Sequence, residues 1–114
     1  MSTALRHEPL YGLVELDAEG RVLYYNPEKD GDALSPKPDI VGQNFFDEVA
    51  KFDGVRELQQ RINSFRLSHA PALSFNFDFR FDRASYPARI LLARIHDRSE
   101  LGRQESVFVH IRKG

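Results

Sequence analysis

The sequence predicts one α+β domain, in which a five-stranded antiparallel sheet has a helical insert covering one of its faces. Three observations predict this class. Two β-prone segments open the chain and three close it, and the region between them carries apolar residues at helical spacing. The length of 114 residues fits one domain of ordinary size. The predicted domain spans residues 11–112, after a cap segment of residues 1–10.

The first predicted element is a β-hairpin. Residues 11–16 are apolar and β-prone, residues 17–20 have the Asp-Ala-Glu-Gly chemistry of a tight turn, and residues 21–26 form the second strand. Residues 27–38 mix prolines, a glycine and acidic groups. This composition excludes a long helix and predicts short turns over a surface or a pocket.

Two helical segments follow the hairpin. Asn44 offers an N-cap, and the apolar spacing after it predicts a short helix over residues 45–50. Gly54 breaks that segment, and apolar steps of three and four residues predict a longer helix from about Gly54 to about Ser68. The apolar face of the longer helix consists of Val55, Leu58, Ile62 and Phe65.

The C-terminal part of the chain predicts three strands. From residue 73 the apolar period changes to two, which is typical of a strand with one buried face. A turn at residues 82–85, a fourth strand over 87–96, a polar loop over 97–105 and a fifth strand over 106–111 follow. The residues that alternate along the third strand are Leu73, Phe75, Phe77, Phe79 and Phe81.

Composition excludes several classes of function. The 16 basic and 17 acidic side chains give a net charge of −1, so the broad positive surface that nucleic-acid binding requires is absent. With no cysteine, the chain has no disulfide, thiolate metal site or cysteine nucleophile. No apolar run approaches the ~18 residues of a membrane span, and no signal peptide is recognisable, which predicts a cytoplasmic protein without membrane association.

The charge is divided unevenly along the chain. Residues 1–72 hold 8 basic and 12 acidic groups, a net −4, whereas residues 73–114 hold 8 and 5, a net +3. Such asymmetry favours pairing with a complementary copy or partner, or it is an incidental bias of a solvated surface.

No pattern of an enzyme or a metal site is present. The seven glycines do not form a phosphate-binding or dinucleotide-binding motif, and no Gly-x-Ser-x-Gly sequence occurs. The four histidines lack His-x-x-x-His spacing, so no metal is predicted. The sequence therefore favours a non-enzymatic role.

Several segments resemble PAS domains and, among these, the photoactive yellow protein branch. YGLVELDAEGRVLYYN at residues 11–26 resembles the opening hairpin of that family, and IVGQNFFDEVA at residues 40–50 resembles the segment leading to its chromophore. The alternating phenylalanines of the third strand and Val-Phe-Val at residues 107–109 resemble its central and last strands. The likeness covers roughly residues 10–112, and it implies the PAS fold and a role in signal transduction.

The departures from that family bear on its light chemistry. In photoactive yellow proteins a cysteine two residues after the equivalent of Ala50 carries p-coumaric acid through a thioester, and here that position is Phe52. The tyrosine that holds the phenolate matches Tyr25, but the place of the neighbouring acid falls on Lys29, with Glu28 adjacent. The resemblance thus implies a PAS domain without a covalent chromophore, and no other cofactor is predicted.

A candidate pocket lies between the sheet and the insert. Its phenylalanines either fill a solid core or line a cavity for a non-covalent small ligand. A base-stacking platform is disfavoured because basic residues do not alternate with these aromatics. The candidate lining residues are Tyr25, Glu28, Phe45, Phe46, Val49, Phe52, Phe77 and Phe79.

The fourth strand carries apolar residues on both faces, so something must cover the second face. The candidate interface residues are Leu91, Leu92, Ala93 and Ile95. The resemblance implies a signalling module, and the apolar second face predicts that it acts through a protein partner or a homodimer. The alternative is a sensory module with a pocket ligand. The alternative to the dimer is a monomer whose N-terminal residues and long arginine stems, such as those of Arg89 and Arg94, cover the apolar patch.

Overall fold

The structure is a computed structural model that describes residues 10–28, 39–50, 52–81, 83–99 and 102–114. Its five strands form one antiparallel sheet in the order β2-β1-β5-β4-β3, which confirms the predicted α+β class. In chain order the elements are β1 (Gly12–Leu16), β2 (Val22–Pro27), a π-helix (Phe45–Val49), α1 (Val55–Leu67), β3 (Ala72–Phe81), β4 (Ala84–Ser99) and β5 (Gly102–Lys113).

The turn between β1 and β2 is held by one aspartate. Asp17 Oδ1 accepts hydrogen bonds from the backbone N–H groups of Glu19 and Arg21, at 2.9 and 2.8 Å. Side chains of this type stabilise tight turns by replacing backbone acceptors. The predicted hairpin is therefore present, with a register shift where Leu16 pairs with Val22.

β5 is the central strand and joins the two hairpins. Val109 pairs with Val14 of β1 on one side and with Leu92 of β4 on the other. Directly paired residues project to the same face of a sheet, and all three of these side chains are fully buried. They mark the inner face of the sheet, on which the helical insert packs.

The insert begins with a capped turn and continues into α1. The Asn44 side chain accepts hydrogen bonds from the backbone of Phe46 and Asp47, which fixes the start of the π-helix. Leu58, Ile62 and Phe65 of α1 are buried, as their helical spacing predicts. The helix bounds agree with the sequence prediction to within one residue at each end.

The structure corrects the loop predicted over residues 97–105. β4 continues to Ser99 and β5 begins at Gly102, so the two strands form one long ribbon. A polar segment suggests a loop because most strands bury one apolar face. Two strands can nevertheless pair through backbone hydrogen bonds when neither face is buried, and polar composition does not prevent this. The prediction of turns over residues 27–38 falls largely on residues 29–38, and that of the cap segment on residues 1–9; both lie outside the described residues.

None of the helices in the described part of the chain is long and apolar enough to cross a membrane.

Candidate functional site

Phe52 lies among the phenylalanines of β3. Its ring centroid is 4.8 Å from that of Phe79 and 6.0 Å from those of Phe77 and Phe81. The contacts with Phe77 and Phe79 are edge-to-face, the geometry that aromatic quadrupoles favour. We call these four residues the Phe52 cluster. Position 52 is therefore occupied by a ring that packs against three rings of β3.

Two other predicted lining residues lie in a different part of the insert. Phe45 and Phe46 are buried and contact each other edge-to-face at 5.4 Å. The Phe46 ring also lies against Gly20, where an added Cβ would approach it to 3.0 Å. Val49 is half-buried and packs against the core. The predicted set is therefore divided between the Phe52 cluster and a region beside the first hairpin.

That second region contains a small cleft of about 100 Å³ between the β1–β2 turn and α1. Arg66 donates a hydrogen bond across it to the carbonyl oxygen of Ala18. Buried apolar side chains form part of its lining, and polar groups of the turn and the helix complete it. The lining residues are Leu16, Asp17, Ala18, Glu19, Gly20, Phe46, Gln59, Ile62, Asn63, Arg66 and Val107.

Tyr25 and Glu28 do not share an interior site. Tyr25 is buried, and its hydroxyl donates a hydrogen bond to the carbonyl oxygen of Tyr11 at 3.4 Å. Glu28 is exposed, and its backbone N–H donates to the same carbonyl at 3.1 Å. The prediction that Glu28 lines the pocket is wrong, because the strand has ended there and its side chain faces solvent.

The residues around position 52 do not fit a thioester-linked chromophore. The chain has no thiol, and the Phe52 ring is in contact with three other rings. The described residues also contain no group of three His, Asp or Glu side chains placed to hold a metal ion. In the described part of the chain, this side of the sheet presents the packed Phe52 cluster and the small cleft beside the first hairpin.

The opposite face of the sheet, the outer face, carries the predicted interface residues except one. Leu91 is 41% exposed, and Ala93 and Ile95 are half-buried. Leu92 is fully buried on the inner face, so its assignment to the interface is wrong. Alternation along β4 sends residues 91, 93 and 95 to one face and residue 92 to the other.

Two charged residues of the outer face, Arg112 and Glu15, were missed by the sequence analysis. Arg89 lies on this face as expected, whereas Arg94, expected beside it, lies on the inner face and contacts α1. Arg89 of β4 pairs directly with Arg112 of β5, and both are exposed. Glu15 of β1 is half-buried, and its Oε2 accepts a hydrogen bond of 2.6 Å from Ser106 Oγ. Alternation alone could have placed each charge on a face, but the cross-strand pairing that brings them near the apolar residues needs the register.

Comparison with known proteins points to one family. A photoactive yellow protein of Halochromatium salexigens is 30% identical over 80 residues, which cover 70% of this chain and 62% of that protein. A second, from Cereibacter sphaeroides, is 28% identical over 80 residues, which cover 70% and 64%. The matches thus span less than two thirds of either relative's length. No family model matches the chain.

Solved structures extend the likeness over most of the chain. The PAS domain of BvgS from Bordetella pertussis superimposes with a TM-score of 0.62 at 13% identity, covering 91% of this chain and 76% of that one. The photoactive yellow protein domain of the sensor histidine kinase Ppr from Rhodospirillum centenum gives a TM-score of 0.56 at 25% identity, covering 87% and 89%. The chain is therefore a PAS domain of the photoactive yellow protein-like branch, and it contains no cysteine to carry a chromophore.

Proposed function

We propose that this PAS domain is a non-enzymatic signalling module that acts by self-association through its outer sheet face, without a covalent chromophore. PAS domains of this branch are typically sensory modules, and the proposal concerns how this one passes its signal on. The observation that carries it is the exposure of Leu91 in the middle of the outer face, with half-buried apolar side chains around it.

The surroundings of Leu91 support the proposal. Leu91 pairs with His110 of β5, which pairs on its other side with Leu13 of β1. The next outer-face residue of β4, Ala93, pairs with Phe108 of β5. An antiparallel sheet that is covered on one side ordinarily exposes a polar second face. An apolar group at the centre of that face is typical of a protein contact.

The ring contacts of Phe52 favour the interaction role over the ligand-sensing role. A module that senses a ligand in the family's pocket needs volume beside position 52, whereas here the Phe52 cluster packs ring against ring. A partner at the outer face needs no internal volume.

The test is the sedimentation of the purified chain at micromolar concentration. We expect a dimer, and we expect Leu91→Asp to convert it to a monomer because a carboxylate would be buried at the contact. Leu73→Asp is the matched control, since Leu73 is 43% exposed but pairs with Leu92 and so lies on the inner face. A wild-type monomer, or equal dissociation of both variants, would contradict the proposal.

A ligand-sensing role is the second candidate, and the cleft between the β1–β2 turn and α1 favours it. Native mass spectrometry of the protein purified from its own host tests this role. A bound small molecule that Asn63→Leu removes would favour sensing, and protein without added mass would favour the interaction role.

A further inference from the structure

Two opposite charges flank the centre of the outer face. Arg89 pairs with Arg112, Leu91 pairs with His110, and the next residue of β5 on this face, Phe108, pairs with Glu15 of β1. Along β5, Arg112 and its partner Arg89 lie two residues from His110 in one direction. Phe108 and its partner Glu15 lie two residues from His110 in the other direction.

Neither charge is neutralised within the described part of the chain. Arg56 forms an ion pair with Asp47, and neither Arg89 nor Glu15 takes part in an ion pair with another described residue. Arg89 and Arg112 stand directly opposite each other, an arrangement that like charges disfavour. Two exposed cations held side by side thus lack an anionic partner among the described residues.

Within one chain, the two charges cannot meet. Glu15 and Arg89 lie on the two strands that flank β5, and they are displaced from His110 by equal amounts in opposite directions. With ~4.8 Å between strands and ~3.3 Å per residue along them, the two positions are about 16 Å apart. That distance is far beyond an ion pair.

We propose that the outer face dimerises about a two-fold axis that passes at His110, so that Glu15 of each copy lies against Arg89 of its partner. The inference rests on the proposed self-association and adds its geometry. Such an axis lies between the outer faces of the two copies and is perpendicular to the line from Glu15 to Arg89. It places Glu15 of one copy opposite Arg89 of the other. It therefore forms the contact twice, at the two ends of the interface.

The remaining residues of the face fit this arrangement. Leu91 and Phe108 lie between the two charged positions and supply apolar area at the centre. Arg112, beside Arg89, adds a second positive charge near the partner's glutamate. Exposed ion pairs contribute little affinity, so these contacts fix the orientation of the copies while the apolar centre stabilises the dimer.

Charge reversal tests the geometry directly by sedimentation and native mass spectrometry. Glu15→Arg places arginine against arginine, and Arg89→Glu places glutamate against glutamate, so we expect each variant alone to dimerise on the order of 100-fold more weakly. Mixed in equal amounts, the two variants should form a heterodimer, because both of its contacts are then between opposite charges. The double variant Glu15→Arg/Arg89→Glu should also recover the homodimer.

Ser106→Ala is the control for the hydrogen bond that Glu15 accepts within its own chain. It keeps both charges, and we expect it to leave the dimer intact. Because the heterodimer forms only from folded copies, its appearance also excludes misfolding as the cause of the single-variant losses.

The outcomes separate this inference from the function on which it rests. A dimer that Leu91→Asp dissociates but Glu15→Arg and Arg89→Glu leave unchanged would overturn the charge contacts and retain the interface. Single variants that are monomeric and do not recover on mixing would overturn the pairing of Glu15 with Arg89. A monomeric wild-type chain would overturn both proposals.

Discussion

Arg94 of β4 binds the C-terminal end of α1 through Phe65. Its Nη2 donates a hydrogen bond of 2.8 Å to the Phe65 carbonyl oxygen, and its guanidinium carbon lies 5.0 Å from the centre of the Phe65 ring. The same guanidinium donates to the carbonyl oxygens of Arg66 at 3.0 Å and Ser68 at 2.8 Å. Since the last carbonyls of a helix have no partner within it, one side chain both caps α1 and joins it to the sheet.

Removing this side chain should destabilise the fold. For Arg94→Ala we expect the free energy of unfolding to fall by about 2–3 kcal/mol, because several carbonyls lose a charged donor together. Arg94→Lys should recover only part of the loss, since an ammonium group lacks the planar set of donors. Urea denaturation followed by circular dichroism measures both.

Arg83→Ala is the control for this experiment. Arg83 is exposed in the turn before β4, and its loss should change the free energy of unfolding by less than about 0.5 kcal/mol. Equal effects of Arg83→Ala and Arg94→Ala would show that charge, and not the contact with α1, determines stability.

Gly12 and Gly42 should respond differently to alanine. Both have positive φ, at 136° and 92°, but a Cβ at Gly12 would lie 2.4 Å from the carbonyl oxygen of Asn26, whereas at Gly42 it would meet nothing within 4 Å. We expect Gly42→Ala to lower the free energy of unfolding by about 1 kcal/mol, through backbone strain alone. Gly12→Ala should lower it by at least about 3 kcal/mol, because β2 must move away. Thermal unfolding of the two variants would contradict this account if their midpoints were equal.

Asn44 joins the first hairpin to the π-helix, and a graded series tests both of its roles. Its Oδ1 accepts from two backbone N–H groups, and its Nδ2 donates to the carbonyl oxygen of Glu19 at 3.0 Å. Asn44→Asp should keep the cap and lose the donated bond, so we expect a smaller loss than the ~1–2 kcal/mol of Asn44→Ala. Gln43→Ala, at the exposed residue next to Asn44, is the control for this series. A stable Asn44→Ala variant in urea denaturation would refute the double role.

Phe52 should contribute to stability as a packing residue. Phe52→Ala removes a ring that contacts three others, and we expect the free energy of unfolding to fall by about 2 kcal/mol, less than for a fully buried phenylalanine. Phe75→Ala is the matched control, because Phe75 is also half-buried but faces the guanidinium of Arg61 at 4.9 Å. If chemical denaturation showed a greater loss of unfolding free energy for Phe75→Ala than for Phe52→Ala, the predicted packing role of Phe52 would be contradicted.

The wild-type chain should not become a yellow protein. Treated with activated p-coumaric acid, it should remain colourless and show no covalent mass increase, because it has no thiol to form the thioester. Phe52→Cys, treated under unfolding conditions, is the reagent control and should gain the adduct. A visible band that stays with the wild-type chain through a denaturing gel would contradict the proposed absence of light chemistry.

The order of the elements could be predicted from the sequence because each element carries a local signal. Asp17 marks a turn, Asn44 marks a cap, and the spacing of Leu58, Ile62 and Phe65 marks one helix face. Period-two alternation marks β3 in the same way. These signals involve residues a few positions apart, so no tertiary contact is needed to recognise them.

The ends of β4 and β5 and the make-up of the candidate site depended on contacts between distant parts of the chain. Nothing local distinguishes a polar ribbon from a polar loop, and nothing local places Glu28 in solvent. Alternation separates Leu92 from Leu91, but it does not say which of the two faces lies under the insert. Likewise, the alternation of β1 and β4 assigns Glu15 and Arg89 to faces, but only the pairing of both strands with β5 sets them on opposite sides of His110. Register is fixed by the packing of the whole sheet, and a shift of one residue would turn every one of these side chains to the other face.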